Sequence, residues 1–205
     1  MSDFHYFEPD KGHGLPRDPF KAIIGPRPIG WISSRSADGV LNLAPYSFFN
    51  LFASTPPIIA FSTIGWKHSI ANIDATGEFG WSLATRPLAD AMNATSAMVG
   101  ADVDEFAMAG LETAPSRLIS VPRVAASPAS FECRLTQLFE MTDLNGDGIG
   151  TWMVFGQVVA AHIDKAYLTD GIFDTGRAQP ILRAGGTASY VEIGPDNFFK
   201  IKRPG

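Results

Sequence analysis

A mainly β chain with helical insertions, folded as a closed or nearly closed antiparallel barrel, is the class that the sequence predicts. Three observations point there. Residues 131–141 and 151–163 are long, partly alternating apolar runs joined by Asn145-Gly146-Asp147-Gly148, a strong hairpin signal. Twenty Gly and fifteen Pro are spread along the chain, as many short strands and turns require. Helical spacing is confined to the middle and no strand–helix unit repeats, which argues against a parallel, doubly wound sheet.

Taken in order, residues 1–19 hold three prolines and little periodicity, and read as an extended arm lying on the body or on a partner subunit. A short apolar strand is expected over Phe20–Ile24, and Pro26-Arg27-Pro28 forces extended backbone. Ile29–Ser36 reads as a strand, Ala37-Asp38-Gly39 as a tight turn and Val40–Ala44 as the returning strand. Pro45 argues against a regular continuation, so Tyr46–Asn50 is expected to be a bent segment. Pro56-Pro57 opens a strand, Ile58–Thr63, that is apolar on both faces and hence buried. Trp66, Ile70 and Ile73 repeat at helical spacing, with Gly77 as the stop. Phe79–Ala84 reads as a strand, Arg86–Val99 as an amphipathic helix and Val103–Leu111 as a shorter one closed by Gly110.

Length and composition fit one folded domain over residues 1–205: 45% of residues are hydrophobic and 18% charged. The net charge of −5 argues against nucleic acid or an anionic membrane as the main partner, since both call for a basic surface. The single cysteine, Cys133, lies in an alternating stretch and reads as a strand residue, and its isolation fits a cytoplasmic, reducing location. Met1–Tyr6 lacks the basic and apolar regions of a secretory signal, and no apolar run approaches membrane-spanning length. Asp143-Leu144-Asn145-Gly146-Asp147-Gly148 imitates the start of a calcium loop, but Val154 stands where a bidentate Glu is needed. With four scattered histidines and one cysteine, no metal site is expected.

The chemistry-bearing residues gather between 31 and 69. Ser33, Ser34, Arg35 and Ser36 end one strand. Asn42 to Asn50 mixes polar donors with aromatic faces, and Ser62-Thr63 ends the buried strand. Gly65-Trp66-Lys67-His68-Ser69 leads a helix, whose free N–H groups and partial positive charge favour a phosphate. From the residues alone this corner admits two readings, a phosphate site or a plain cap by Ser69 beside a solvated Lys67. No Gly-x-Gly-x-x-Gly precedes a helix, so no dinucleotide-binding βαβ unit is expected. Asp102, Asp104 and Glu105 read as carboxylates at a helix start.

Read as a whole, Arg27-Pro28-Ile29-Gly30-Trp31-Ile32-Ser33-Ser34-Arg35-Ser36-Ala37-Asp38-Gly39 followed by Asn42-Leu43-Ala44-Pro45-Tyr46-Ser47-Phe48-Phe49-Asn50 resembles the signature of the flavin reductase-like, FMN-binding split-barrel family. Lys67-His68-Ser69-Ile70, Thr76-Gly77-Glu78-Phe79, Val154-Phe155-Gly156-Gln157 with His162, and Pro180-Ile181-Leu182-Arg183 through Tyr190 match it further on, in order. The resemblance implies a six-stranded Greek-key split barrel, dimeric, with FMN near the subunit interface. It implies that Ser33, Ser34 and Arg35 lie along the ribityl phosphate and that Lys67 and Ser69 close on it. Asn50 and the backbone of Ala44, Pro45, Tyr46 and Ser47 would meet the isoalloxazine edge, with Ser62 nearby. The implied activity is flavin reduction by NADH or NADPH, with hydride passing to flavin N5 and no obligatory protein acid or base. A monooxygenase or other electron acceptor would be the partner, and an FMN-bearing electron carrier or a non-enzymatic dimer are the alternatives.

Overall fold

The computed structural model describes residues 3–204; the first two residues of the expected arm and Gly205 lie outside the described residues. Seven strands form one antiparallel sheet: β1 (Gly30–Arg35), β2 (Leu41–Tyr46), β3 (Phe49–Ser54), β4 (Pro57–Ile64), β5 (Glu78–Ser82), β6 (Ala129–Thr142) and β7 (Gly148–Ile163). Their hydrogen-bonded order is β2-β1-β5-β6-β7-β4-β3. The strands at the two ends, β2 and β3, are consecutive in the chain and separated only by Ser47-Phe48. A two-residue link can join opposite edges of a sheet only if the sheet curls round on itself. The result is a split barrel, open between β2 and β3, and this is where residues 44–50 lie.

The β1–β2 turn forms as expected, with Gly39 N–H donating to the Ser36 carbonyl at 3.0 Å and Gly39 at φ +90°. The β6–β7 hairpin also forms, and the Asp143 carboxylate shapes its loop by accepting from Asn145 and Asp147 N–H. Helix α1 (His68–Thr76) stops at Gly77, which takes the left-handed conformation at φ 71°. Ile70 and Ile73 of α1 plug the barrel against Ile32, Phe61, Phe79 and Val154. Alternation on β1 and β2 sends Trp31 and Leu43 to the outer face, where Met92 of α2 (Ala89–Ala94) and Phe106 of α3 (Glu105–Met108) cover them.

Four expectations are corrected. Phe20–Ile23 is one exposed helical turn rather than a strand, because Asp18 Oδ1 caps Phe20 N–H and the Pro19 carbonyl accepts from Ala22 and Ile23, with no sheet edge to pair. Residues 49–54 pair with β4 around Thr55-Pro56 instead of bending away, which brings the main sheet to seven strands rather than six. Pro45 is tolerated in β2 because that strand is an edge, so its missing N–H interrupts no second ladder. The helices over 86–99 and 103–111 are shorter than expected. In the first, the Thr95 and Ser96 hydroxyls bond back to the Met92 and Asn93 carbonyls, and the chain then leaves the helix.

Gly156 of β7 faces the Phe79 ring so closely that an added Cβ would overlap its Cε1 and Cζ and come within 3.3 Å of Cys133 Cβ. Phe79 is itself fixed edge-on to Phe61 at 5.9 Å. Gly156→Ala is therefore expected to cost about 1–3 kcal/mol by overpacking, read as a lower urea midpoint at unchanged m.

Candidate functional site

A buried polar network underlies the split. Asn42 Oδ1 accepts from Ser69 Oγ at 2.6 Å and from Ser34 Oγ at 3.2 Å, while Asn42 Nδ2 donates to Glu105 Oε1 at 2.9 Å. Tyr46 Oη donates to Ser69 Oγ at 2.9 Å, and Asn72 Nδ2 to Ser34 Oγ at 3.1 Å. Glu105 Oε2 accepts from Leu43 N–H at 3.0 Å. β1, β2, α1 and α3 are thus tied together beneath the cleft. Burial pushes the Glu105 carboxyl up, against the hydrogen bonds from Leu43 and Asn42 and the nearby His68, which pull it down. Burial likewise raises the Tyr46 hydroxyl, so it stays a donor.

Above the network, Ala44, Pro45, Tyr46, Lys67 and Ser69 meet in a cleft of about 310 Å³, walled also by Trp66 and by Met98 and Val99. Lys67 is the exposed N-cap residue of α1, and no side chain caps the first turn. Ser69 does not serve as a cap: it sits one position inside the helix with its hydroxyl committed to Asn42 and Tyr46. The helix start thus keeps its N–H groups and partial positive charge facing an open cleft next to an ammonium group. Trp66, 47% exposed, stands edge-on to Trp152 at 4.5 Å beside this corner.

Two further clefts flank the same segment. Ser47, Asn50 and Ser62 line one of about 390 Å³ together with Arg27, Phe48 and Phe52. Pro45 and Ser47 line another of about 630 Å³ that Arg86, Arg183 and Tyr190 complete. Residues 45–47 are therefore a common wall.

The strand cluster at 33–35 behaves differently. Ser33 faces away from α1 and donates to the Pro122 carbonyl at 2.8 Å, holding a loop on the outer face. Ser34 lies in the network beneath the cleft rather than on its surface. Arg35, on the Ser33 side of β1 and half-buried, has a buried Nε without a partner. Glu105 was legible only as a helix-start carboxylate. That role belongs to Asp104, whose Oδ1 accepts from Phe106 and Ala107 N–H, and Glu105 turns inward instead. Arg27, Thr95, Met98 and Val99 carry no local signal of belonging to a cleft. Cys133 is buried in β6 and its thiol is pushed far up by burial, so it is no nucleophile at neutral pH.

Fold and cleft together define a split-barrel protein with an uncapped helix start and Lys67 at the opening of its barrel. The family model for the flavin reductase like domain matches residues 25–181, and the chain belongs to that family, one of flavin-related oxidoreductases. An uncharacterized protein of Deinococcus radiodurans is 37% identical over 185 residues, 83% of this chain and 77% of that protein. Nitrilotriacetate monooxygenase component B from Bacillus cereus superposes with a TM-score of 0.87 at 27% identity, covering 98% of this chain and 100% of that one. Flavoredoxin of Desulfovibrio vulgaris (Miyazaki F) shares the fold at a TM-score of 0.76 and 20% identity, covering 92% and 97%. No helix of the described residues is long and apolar enough to cross a membrane.

Glu105→Ala would leave Asn42 Nδ2 and Leu43 N–H unpaired in the core. It is expected to cost about 2–3 kcal/mol in urea unfolding, against about 1 kcal/mol for Tyr46→Phe. Because the folded Glu105 carboxyl is raised, its proton is held more tightly than in the unfolded chain. The associated stability is complete below the ordinary carboxylate range and is lost as pH rises through the raised value. A Glu105→Gln profile should lack that slope.

Proposed function

We propose that this protein binds FMN at the split of its barrel and passes a hydride from NADH or NADPH to the flavin. The observation that carries the reading is the uncapped start of α1 beside Lys67, opening into a cleft with apolar walls. The residues fit the group. A phosphate needs N–H donors and a cation, which the 67–69 corner supplies, and a flat ring system needs an apolar slot along residues 44–47. Ser69 would act through position rather than contact, holding Asn42 and Tyr46 under the site. Ser34 acts the same way, while Ser33 and Arg35 serve the outer face. Asn50, Ser47 and Ser62 would receive the polar edge of the ring. Glu105 lines the same cleft, and the burial that raises its carboxyl favours the neutral form, which would not repel a phosphate.

When bound, the flavin supplies hydride acceptance at N5. The protein's part is to hold it with one face reachable from the cleft of about 630 Å³. There Arg86, ion-paired to Glu192 at 3.4 Å and exposed, offers a guanidinium to the anionic half of a nicotinamide dinucleotide. The exposed apolar band of Leu51, Phe52, Phe139 and Ile149 is the face on which we expect a second copy of the chain. A monooxygenase is the natural consumer of the reduced flavin, by analogy with the component B relative.

The test is the visible spectrum of the protein with FMN, before and after NADH and NADPH. Flavin peaks bleached by either nucleotide are expected. A yellow protein that neither nucleotide bleaches would be an electron carrier instead, and a protein that takes up no flavin would end the proposal. Lys67→Ala is expected to weaken FMN about 10–100-fold, the worth of a charge-assisted hydrogen bond. Arg86→Ala should raise KM for the nucleotide with kcat and flavin content little changed.

A further inference from the structure

Arg27 is an ionised side chain without a counter-charge. It is only 8% exposed, and no carboxylate of the described residues is ion-paired with it. Its Nη1 donates to the Lys21 and Ile24 carbonyls at 2.5 and 2.8 Å, which fixes the guanidinium against the end of the exposed helical turn. Its Nε is buried and has no partner. The residue opposite it in the ladder is Arg183, a second cation, so its nearest charged neighbour on that strand is repulsive. Burying an unbalanced charge is costly unless something of opposite sign completes the site. Among the residues lining the cleft with Ser47, Asn50 and Ser62, Arg27 is the only ionisable one, and its guanidinium carbon lies 5.7 Å from the Phe48 ring centroid.

We propose that Arg27 is the counter-charge of the reduced flavin ring, a positioning residue that favours the reduced state electrostatically. The inference rests on the flavin reading above and says which part of the ring faces this cleft. From Lys67 the site runs along residues 44–47, about 10 Å of extended chain, and ends at Ser47, Asn50 and Arg27. The oxidised ring is neutral. Hydride transfer delivers two electrons and one proton to N5 and leaves the nicotinamide as a cation. The reduced ring then carries one negative charge shared between N1 and the C2 carbonyl oxygen. A cation already buried and already oriented needs no reorganisation when that charge forms. Arg27 is thus matched to a charge that is absent on binding and present after reduction, whereas Lys67 is matched to one present throughout.

The experiment is potentiometric titration of the FMN-loaded protein, wild type against Arg27→Gln and Arg27→Lys, with FMN affinity measured separately by fluorescence. Arg27→Gln should hold oxidised FMN about as tightly as wild type and reduced FMN about tenfold less tightly. That corresponds to a midpoint about 30 mV lower for a two-electron couple. Arg27→Lys, which keeps the charge, should recover most of the shift; a role confined to holding the Lys21 and Ile24 carbonyls would move stability and leave the potential alone. Arg27→Gln loaded with FMN at an unchanged potential overturns the inference and leaves the flavin reading standing. Failure of the wild type to bind FMN defeats both. Should Arg27→Gln not fold, the wild type decides: its reduced flavin should keep the anionic absorption at pH values where free reduced FMN has become protonated. Protonation of bound and free flavin at the same pH would overturn the inference.

Discussion

The Asn42 side chain is the joint on which the functional half of the molecule turns. Its carbonyl oxygen accepts from hydroxyls on β1 and α1, and its amide nitrogen donates to a carboxylate from α3. The neighbouring strand and two helices more distant in sequence therefore agree on where β2 sits. The cost of burying these groups is met only while all of them are paired, and losing one partner strands the rest. Such a network gives the site rigidity that an apolar core of similar volume would not specify. The start of α1 is held at fixed height above β2, and Lys67 with it.

The split of the barrel follows from where this joint stops. Beyond Tyr46 the chain crosses to the other edge of the sheet in two residues, and β3 continues on β4 instead of β1. An edge strand has backbone groups free on one side, and Pro45 removes one donor from the segment that lines all the adjoining space. The three clefts meet there because a curled sheet that fails to close leaves its gap at one place. The clefts beside Lys67, Arg27 and Arg86 are consequences of one topological fact.

Much of the fold could be read from local chemistry. The 145–148 turn, the Gly77 stop and the Ala37-Asp38-Gly39 turn each depend on a few neighbouring residues, and each stands where it was expected. What escaped was set by partners far along the chain. Nothing in Phe20–Ile24 says that no strand will be beside it, and nothing in Phe49–Ser54 says that β4 will be. The site divides the same way. Ala44, Pro45 and Tyr46 line one cleft because they are consecutive on β2, and Lys67 joins them because Ser69 ties the start of α1 to Asn42 and Tyr46. Ser33 and Ser34 cannot both face it, because successive residues on a strand point to opposite faces. That period of two was available in the sequence and separates the pair. Glu105 was out of reach, since Asp104 beside it fills the only role that a helix start defines locally.

The charges complete the picture. The chain carries a net −5, yet the path proposed for a flavin, from phosphate to ring edge, has a cation at each end, Lys67 exposed and Arg27 buried. The exposed one can exchange between water and a phosphate at little cost, which suits a group that must be captured from solution. The buried one cannot, and its desolvation is a standing cost to the folded state unless a negative charge arrives nearby. Glu105 lines the cleft beside Lys67 and accepts from two donors on β2, and burial raises its carboxyl. With an exposed cation for a permanent charge and a buried one for a charge that appears on reduction, the proposed site would discriminate between oxidation states of a ligand more than between ligands.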